Sequence, residues 1–376
     1  MPELKETIRS YSEKLLNDFS FNKIVLQPTT TCNLNCTYCY LADRDTHHNM
    51  SIETANAISE SIEKIGKPIL LIWHGGEPLA TGKQHFINLL NVFEKLRLKK
   101  IIRHCIQTNA TLIDAEWCEL FKYYEIKVGI STDGPDEYNQ NRVNWANKQV
   151  TSKIMAGINF LKQYKIRFSV ICVLSEKHLQ NAKLLYDYFV ELGCSSVGFN
   201  SPEREGSNDL VAKDFPELQN FWKELYQAWN HNPVIRVREL TYALSWIDSS
   251  IRRGTTRFIP KLLDLIPTIS WNGNVVALSP EFSGVHAPKY ENFILGNINH
   301  VGLDQIIQLL PEIHYYKEYV EGIHQCEKKC EFFSFCGGGQ ASNKYFEHGL
   351  LNTMETAYCR NVKKRLIEGV LNSLEQ

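Results

Sequence analysis

A chain of 376 residues is too long for one small core and favours two domains, or one large barrel with an appendage. Its 43% hydrophobic and 22% charged residues are ordinary for a globular protein, and a net charge of −1 gives no reason to expect nucleic acid or an anionic membrane as partner. No apolar run reaches the roughly 18 residues that a membrane span requires, and the first residues do not read as a secretory signal.

In chain order, Leu4, Ile8, Tyr11, Leu15 and Phe19 fall at helical spacing between charged residues and predict an amphipathic helix over 1–21. Short apolar runs then predict strands at Ile24–Pro28, Ile69–Trp73, Ile101–Gln107, Ile126–Ser131, Phe168–Val173 and Ser196–Asn200. Amphipathic stretches at Ser51–Ile65, Phe86–Leu96, Asp114–Tyr124, Ser152–Gln163 and Asn181–Leu192 separate them. This alternation predicts an α/β fold with a parallel sheet and crossover helices. Six such units are too few for a closed eight-stranded barrel and suit a partial one, with chemistry at the carboxyl ends of the strands. A helical region is expected from about Leu210 to Leu265, then a strand–turn signal at Thr268–Val276, with Trp271-Asn272-Gly273-Asn274 supplying the turn. A boundary between Asn200 and Asn232 divides the chain into 22–215 and 216–376.

The eleven cysteines are an odd number in a chain with no export signal, which predicts a reducing, cytoplasmic setting. Cys105, Cys118, Cys172 and Cys194 lie in apolar or helical stretches and read as packing residues. The other seven form two clusters. In the first, Cys32, Cys36 and Cys39 follow the first predicted strand, and three thiolates on one loop can each take a different iron of a [4Fe–4S] cube. One iron then keeps an open position for an external ligand. The alternative is a zinc site completed by His47 or His48.

C-x3-C-x2-C after a first strand, with Tyr38 before the last cysteine, resembles the signature loop of the radical S-adenosylmethionine (SAM) superfamily. The resemblance implies a (β/α)6 partial TIM-like barrel, SAM bound at the open iron, and cleavage of its sulfonium to a 5′-deoxyadenosyl radical. It also implies cofactor contacts: Tyr38 near the adenine, the Gly75-Gly76-Glu77-Pro78 turn at the methionyl ammonium, Asn109 after the third strand and Ser131 at the ribose. Asp133, Arg142 (toward the SAM carboxylate) and Asn200 complete this set.

The second cluster is Cys326, Cys330, Cys336 and Cys359, with Gly337-Gly338-Gly339 after the third cysteine. On spacing alone, four thiolates fit structural zinc as well as an iron–sulfur cluster. The tail resembles the SPASM domain of peptide-modifying radical SAM enzymes, which implies an auxiliary [4Fe–4S] cluster. A SPASM domain usually holds two such clusters, but here Gln340 and Leu278 stand where two further cysteines are expected. One auxiliary cluster is therefore expected, saturated by its four thiolates.

Val197–Asn200, Glu203–Gly206 and Gln340–Tyr345 resemble segments of maturases of ribosomally made peptides that form three-residue cyclophanes. That likeness implies a precursor peptide as substrate, an external one-electron reductant of flavodoxin or ferredoxin type, and a new carbon–carbon bond. Glu281 is the candidate catalytic base, against the plainer reading of a solvated surface carboxylate. Two other functions remain open: a sulfatase-maturase-like dehydrogenase oxidising Cys or Ser to formylglycine, and a non-catalytic, metal-stabilised peptide-binding scaffold. With the first strand predicted at Ile24, a leader peptide is expected to bind the barrel, the bridging helices or another protein.

Overall fold

The computed structural model describes residues 21–201, 203–208, 212–251 and 265–375, with Glu6 and Ser10. The expected N-terminal helix over 1–21 lies almost wholly outside the described residues. Six strands form where the apolar runs predict them: β1 (Lys23–Leu26), β2 (Ile69–Trp73), β3 (Ile102–Thr108), β4 (Lys127–Ser131), β5 (Phe168–Val173) and β6 (Ser196–Asn200). Pro28 shortens the first, since it has no N–H to give a ladder. Between them run α1 (Ile52–Ile65), α2 (Lys83–Leu98), α3 (Ala115–Tyr123), α4 (Thr151–Gln163) and α5 (Ala182–Leu192).

The caps explain where these helices begin and end. Ser51 Oγ accepts from Thr54 N at 3.1 Å at the start of α1, and Gly66 closes it in the left-handed conformation. Asp114 caps α3 through Trp117 N, and Gly193 ends α5. The inner faces of α1 (Ala55, Ile58, Ile62) and α2 (Phe86, Leu90, Phe93) bury their apolar stripes against the sheet.

After β6 come α6 (Leu218–His231), β7 (Arg236–Val237) and α7 (Arg238–Ile251), then β8 (Thr268–Ile269), β9 (Asn274–Val276) and β10 (Gly296–Asn297). The expected helical region is broken by β7, whose two residues are too few to leave a periodic signature, and its part over 252–264 lies outside the described residues. The predicted turn at 271–274 is present, with β8 and β9 antiparallel across it and Gly273 at φ 86°. The remainder is α8 (Leu303–Gln308), α9 (His314–Lys329), α10 (Phe333–Cys336), α11 (Ala341–His348), a π-helical turn at Cys359–Lys364 and α12 (Arg365–Leu374).

All ten described strands form one sheet in the order β10-β9-β8-β1-β2-β3-β4-β5-β6-β7. β1 to β7 are parallel, β8 is parallel to β1, and its edge strands β7 and β10 do not pair with each other, so the barrel stays open. The carboxyl ends of β1–β6 therefore share one rim. No described helix is long and apolar enough to cross a membrane.

Candidate active site

The loop after β1 carries the first three cysteines, each partly exposed. It is held on two sides. Asn35 N and Thr37 N donate to the carbonyls of Val143 and Asn141 at 2.8 and 3.0 Å, and Trp145 Nε1 donates to the Cys32 carbonyl at 2.9 Å. On the other side Glu77 N donates to the Thr31 carbonyl at 2.9 Å. Gly76 has φ 61°, and a Cβ there would stand 2.6–2.8 Å from the carbonyl oxygens of Thr29, Thr30 and Thr31. The glycine turn thus braces the cysteine loop, so close approach to backbone is one reason for glycine here. Gly75 likewise packs on the Gln27 side chain, and Pro78 opens a single 3₁₀ turn.

Glu77 is buried and fully engaged. Its Oε1 accepts from Leu79 N (3.1 Å) and Thr108 Oγ1 (2.7 Å), and its Oε2 from Asn109 N (2.7 Å). Burial raises its carboxyl to about 7 against the pull of these bonds. Asn109 reaches into the cysteine loop, donating to Asn33 Oδ1 at 2.9 Å. Tyr38 donates to Asp133 Oδ2 at 2.7 Å, and Arg142 donates to Asp133 Oδ1 at 2.9 Å. The guanidinium also lies 5.5 Å from the Tyr38 ring centroid. Burial opposes the Arg142 charge, but Asp133, Tyr38 and Cys36 together outweigh it and hold the guanidinium protonated. Ser131 Oγ accepts from Gln107 at 2.8 Å, and Asn200 accepts from Arg238 at 2.7 Å.

Burial pushes the thiols of Cys32, Cys36 and Cys39 up, with Arg142 pulling Cys36 back down. Thiols raised in this way need a metal's charge to ionise, and the Arg142 guanidinium near Cys36 favours a negatively charged group. The donor set fits an iron–sulfur cluster.

The four C-terminal cysteines line a single cavity of about 110 Å³. Cys326 and Cys330 close the end of α9, where Cys330 N donates to the Cys326 carbonyl at 2.8 Å. Cys336 ends α10 and accepts from Gly338 N at 3.4 Å, and Cys359 opens the π-helical turn. Gly337, Gly338 and Gly339 all have positive φ, so the chain folds back sharply just after the third thiol. Burial raises Cys359 to about 12. Four thiols around one cavity fit a saturated cluster.

Between the two cysteine sites lies a group of acids that sequence reading only partly found. Glu203 and Glu205 follow β6, and one amide, Asn343 Nδ2, donates to Glu203 Oε2 (2.7 Å) and Glu205 Oε1 (3.1 Å). Burial raises all three carboxyls, Glu203 to about 7, with Glu205 and Glu281 also up. Glu281, read as either a catalytic base or a solvated surface carboxylate, is half-buried and accepts from Ser279, and burial raises its carboxyl. Glu205 and Glu281 both act on Tyr40, whose hydroxyl meets His74 Nε2 at 3.0 Å; burial holds His74 down at about 4 and hence neutral. The Glu203–Gly206 loop packs on the cysteine loop, Ser207 N donating to the Tyr40 carbonyl at 2.9 Å. The signal that would have found this site is Glu-x-Glu just past the end of a predicted core strand.

Comparison with known proteins agrees with this reading. The family model of the radical SAM superfamily matches residues 26–186. An uncharacterized protein of Synechocystis sp. is 32% identical over 99% of this chain and 96% of its own length. A cysteine-type anaerobic sulfatase-maturating enzyme of Clostridium perfringens is 25% identical over 84% of the chain and 88% of its own length. Among solved structures, anSMEcpe with bound AdoMet superposes with a TM-score of 0.75 at 22% identity, covering 94% of each chain. Streptococcus suis SuiB bound to precursor peptide SuiA gives 0.65 at 17%, covering 93% of this chain and 78% of its own. At these identities the structures show the fold. This chain belongs to the radical SAM superfamily, an iron–sulfur enzyme that uses SAM and carries a SPASM-like C-terminal half.

Proposed function

We propose that the protein is a peptide maturase that forms a carbon–carbon crosslink of the cyclophane type in a ribosomally made precursor. Cys32, Cys36 and Cys39 would hold the cluster that binds SAM, and Cys326, Cys330, Cys336 and Cys359 one auxiliary cluster. With SAM, the first cluster supplies a 5′-deoxyadenosyl radical, given one electron from an external flavodoxin- or ferredoxin-type donor. The peptide would lose a β-hydrogen atom to the 5′-deoxyadenosyl radical, giving 5′-deoxyadenosine; its carbon would join an aromatic ring, and the ring would give up one proton to a base and one electron to the auxiliary cluster.

A base must take that proton, and the desolvated carboxyls of Glu203, Glu205 and Glu281 support such a step. Which of them faces substrate is a matter for test, with Glu281 the first candidate. Tyr38, Asp133 and Arg142 hold the cysteine loop and the end of β4 in register, while Gly75, Gly76, Glu77, Asn109, Ser131 and Asn200 line the same rim. A peptide substrate is supported by the likeness to SuiB bound to its precursor peptide.

The observation that carries a crosslink over formylglycine formation is the pair Leu278 and Gln340. Both stand where the full SPASM pattern has cysteine; Leu278 is buried among core residues and Gln340 lines the four-cysteine cavity.

The test is anaerobic turnover of the reduced, reconstituted enzyme with SAM and a precursor peptide containing aromatic residues. The expected product is lighter by two hydrogens, inert to hydrazide, and gives no backbone fragments within the ring in tandem mass spectrometry. A hydrazide-reactive product would instead support the dehydrogenase. Absence of 5′-deoxyadenosine would exclude radical chemistry altogether.

A further inference from the structure

Lys344 places a buried ammonium against the four-cysteine cavity, and we propose that it is the built-in counter-charge of the cluster held there, setting the potential at which that cluster accepts an electron. The inference rests on the assignment of an auxiliary cluster to Cys326, Cys330, Cys336 and Cys359.

Lysine is almost never fully buried without a partner, yet Lys344 on α11 is only 1% exposed. Its Nζ donates to the Thr353 carbonyl and lies 5.9 Å from the Tyr319 ring centroid. No carboxylate pairs with it among the described residues. Burial pulls its ammonium down, and the groups that pull it back up are the sulfurs of Cys326, Cys336 and Cys359, so a negatively charged cluster on those sulfurs would favour the charged form. An ammonium has three donors, so spending one on Thr353 leaves two for the cavity.

The fold makes room for this cation. Gly322 sits inside α9, where glycine costs about 1 kcal/mol relative to alanine. A Cβ at that position would stand 2.9 Å from Lys344 Nζ and 2.6 Å from the Leu351 carbonyl oxygen. The other lysine deep on the cavity wall, Lys364, is already paired with Glu355 at 3.2 Å. Lys329 also lines the cavity but is exposed, so among the described residues of this wall Lys344 is the buried cation with no carboxylate partner.

Adding an electron to a four-thiolate cluster adds negative charge in a region of low dielectric. A fixed cation stabilises that reduced state more than the oxidised one and so raises the potential. The charge, rather than the bulk of the side chain, is what the proposal requires.

The experiment uses the full chain with Cys32, Cys36 and Cys39 replaced by alanine, so that iron and spectroscopic signal come from the C-terminal site alone. Iron per chain and the midpoint potential, from redox titration followed by electron paramagnetic resonance, are compared for this parent and for K344Q and K344R added to it. The expected result is a downward shift of potential in K344Q and a value near the parent's in K344R. Loss of iron from K344Q with retention in K344R supports the same conclusion. An unchanged potential in K344Q, an equal shift in both variants, or loss of iron from both overturns the role of the charge. A parent that binds no iron overturns the cluster assignment itself, a failure that shows before either lysine variant is read.

Discussion

At the scale of single residues, the cysteine loop depends on atoms that have no chemistry of their own. Gly76 combines a left-handed backbone with three carbonyls closer than a Cβ tolerates. G76A therefore pays strain and clash together, about 2–3 kcal/mol or more. Gly349 is an internal control, because it is also left-handed at φ 73° and a Cβ there meets nothing within 4 Å. We expect G349A to cost about 1 kcal/mol by denaturant titration, and G76A to cost more and to lower the iron bound at the first site. The Asp133–Arg142 pair gives a second prediction. Both side chains are buried, and Asp133 bridges Tyr38, Arg142 and Val173 N. D133N leaves a guanidinium buried beside an uncharged amide, at a cost of about 3–5 kcal/mol in chemical denaturation. Equal stability of D133N and wild type would mean that Arg142 finds another counter-charge. The cysteines themselves were legible from spacing, because ligation demands a fixed residue type on a short loop. The roles of Glu203 and Glu205 were not, because they come from burial against a segment more than a hundred residues away, and that of Lys344 was not, because it depends on how α11 packs on α9.

At the scale of elements, the six long strands were legible because each is an apolar run between turn or cap residues. β7 and β10, of two residues each, were not resolved as strands, since their pairing is fixed by neighbours rather than by local pattern. The loop after β6 joins the two kinds of site, and its acids carry a pH signature. The Glu203 carboxyl is raised from 4.5 to about 7, so the folded state binds its proton more tightly than the unfolded state. Stability from this group is full below about 4.5, declines as pH rises toward 7 and is flat beyond. The upper bound on the loss is about 3 kcal/mol, from 1.36 kcal/mol per unit. Denaturation at pH 5 and pH 8 should show wild type losing stability over this interval and E203Q losing less. Turnover has the opposite sign: a base must be deprotonated, so with Glu203 as that base product formation should rise with pH through about 7. A profile flat from pH 5 to 8 in both measurements would remove the acids from the mechanism.

At the scale of the whole molecule, the division of the sequence near residue 215 is one of chemistry, with a different cysteine set on either side. The hydrogen bonds run across it. β8, from the C-terminal part, lies parallel to β1, pairing Val25 with Thr268 and Leu26 with Ile269. The same part supplies α12, which packs along α6, where Gly369 lets the two backbones approach: a Cβ would fall 2.4 Å from the Gln219 carbonyl oxygen. Beneath α6, Phe221, Trp222 and Leu225 are fully buried against β6 and α5. A chain ending at residue 215 would therefore lose the cover of β6 and leave β1 as an open edge directly beside the first cysteine loop. An unpaired edge of apolar strand is a template for association. We expect the 1–215 fragment to be aggregated or partly unfolded and to hold little iron after reconstitution, while the full chain unfolds in one cooperative transition when both cysteine sets are replaced by alanine. A monomeric fragment with native-like circular dichroism and about four irons would show instead that the barrel folds alone and that β8 is only laid upon it.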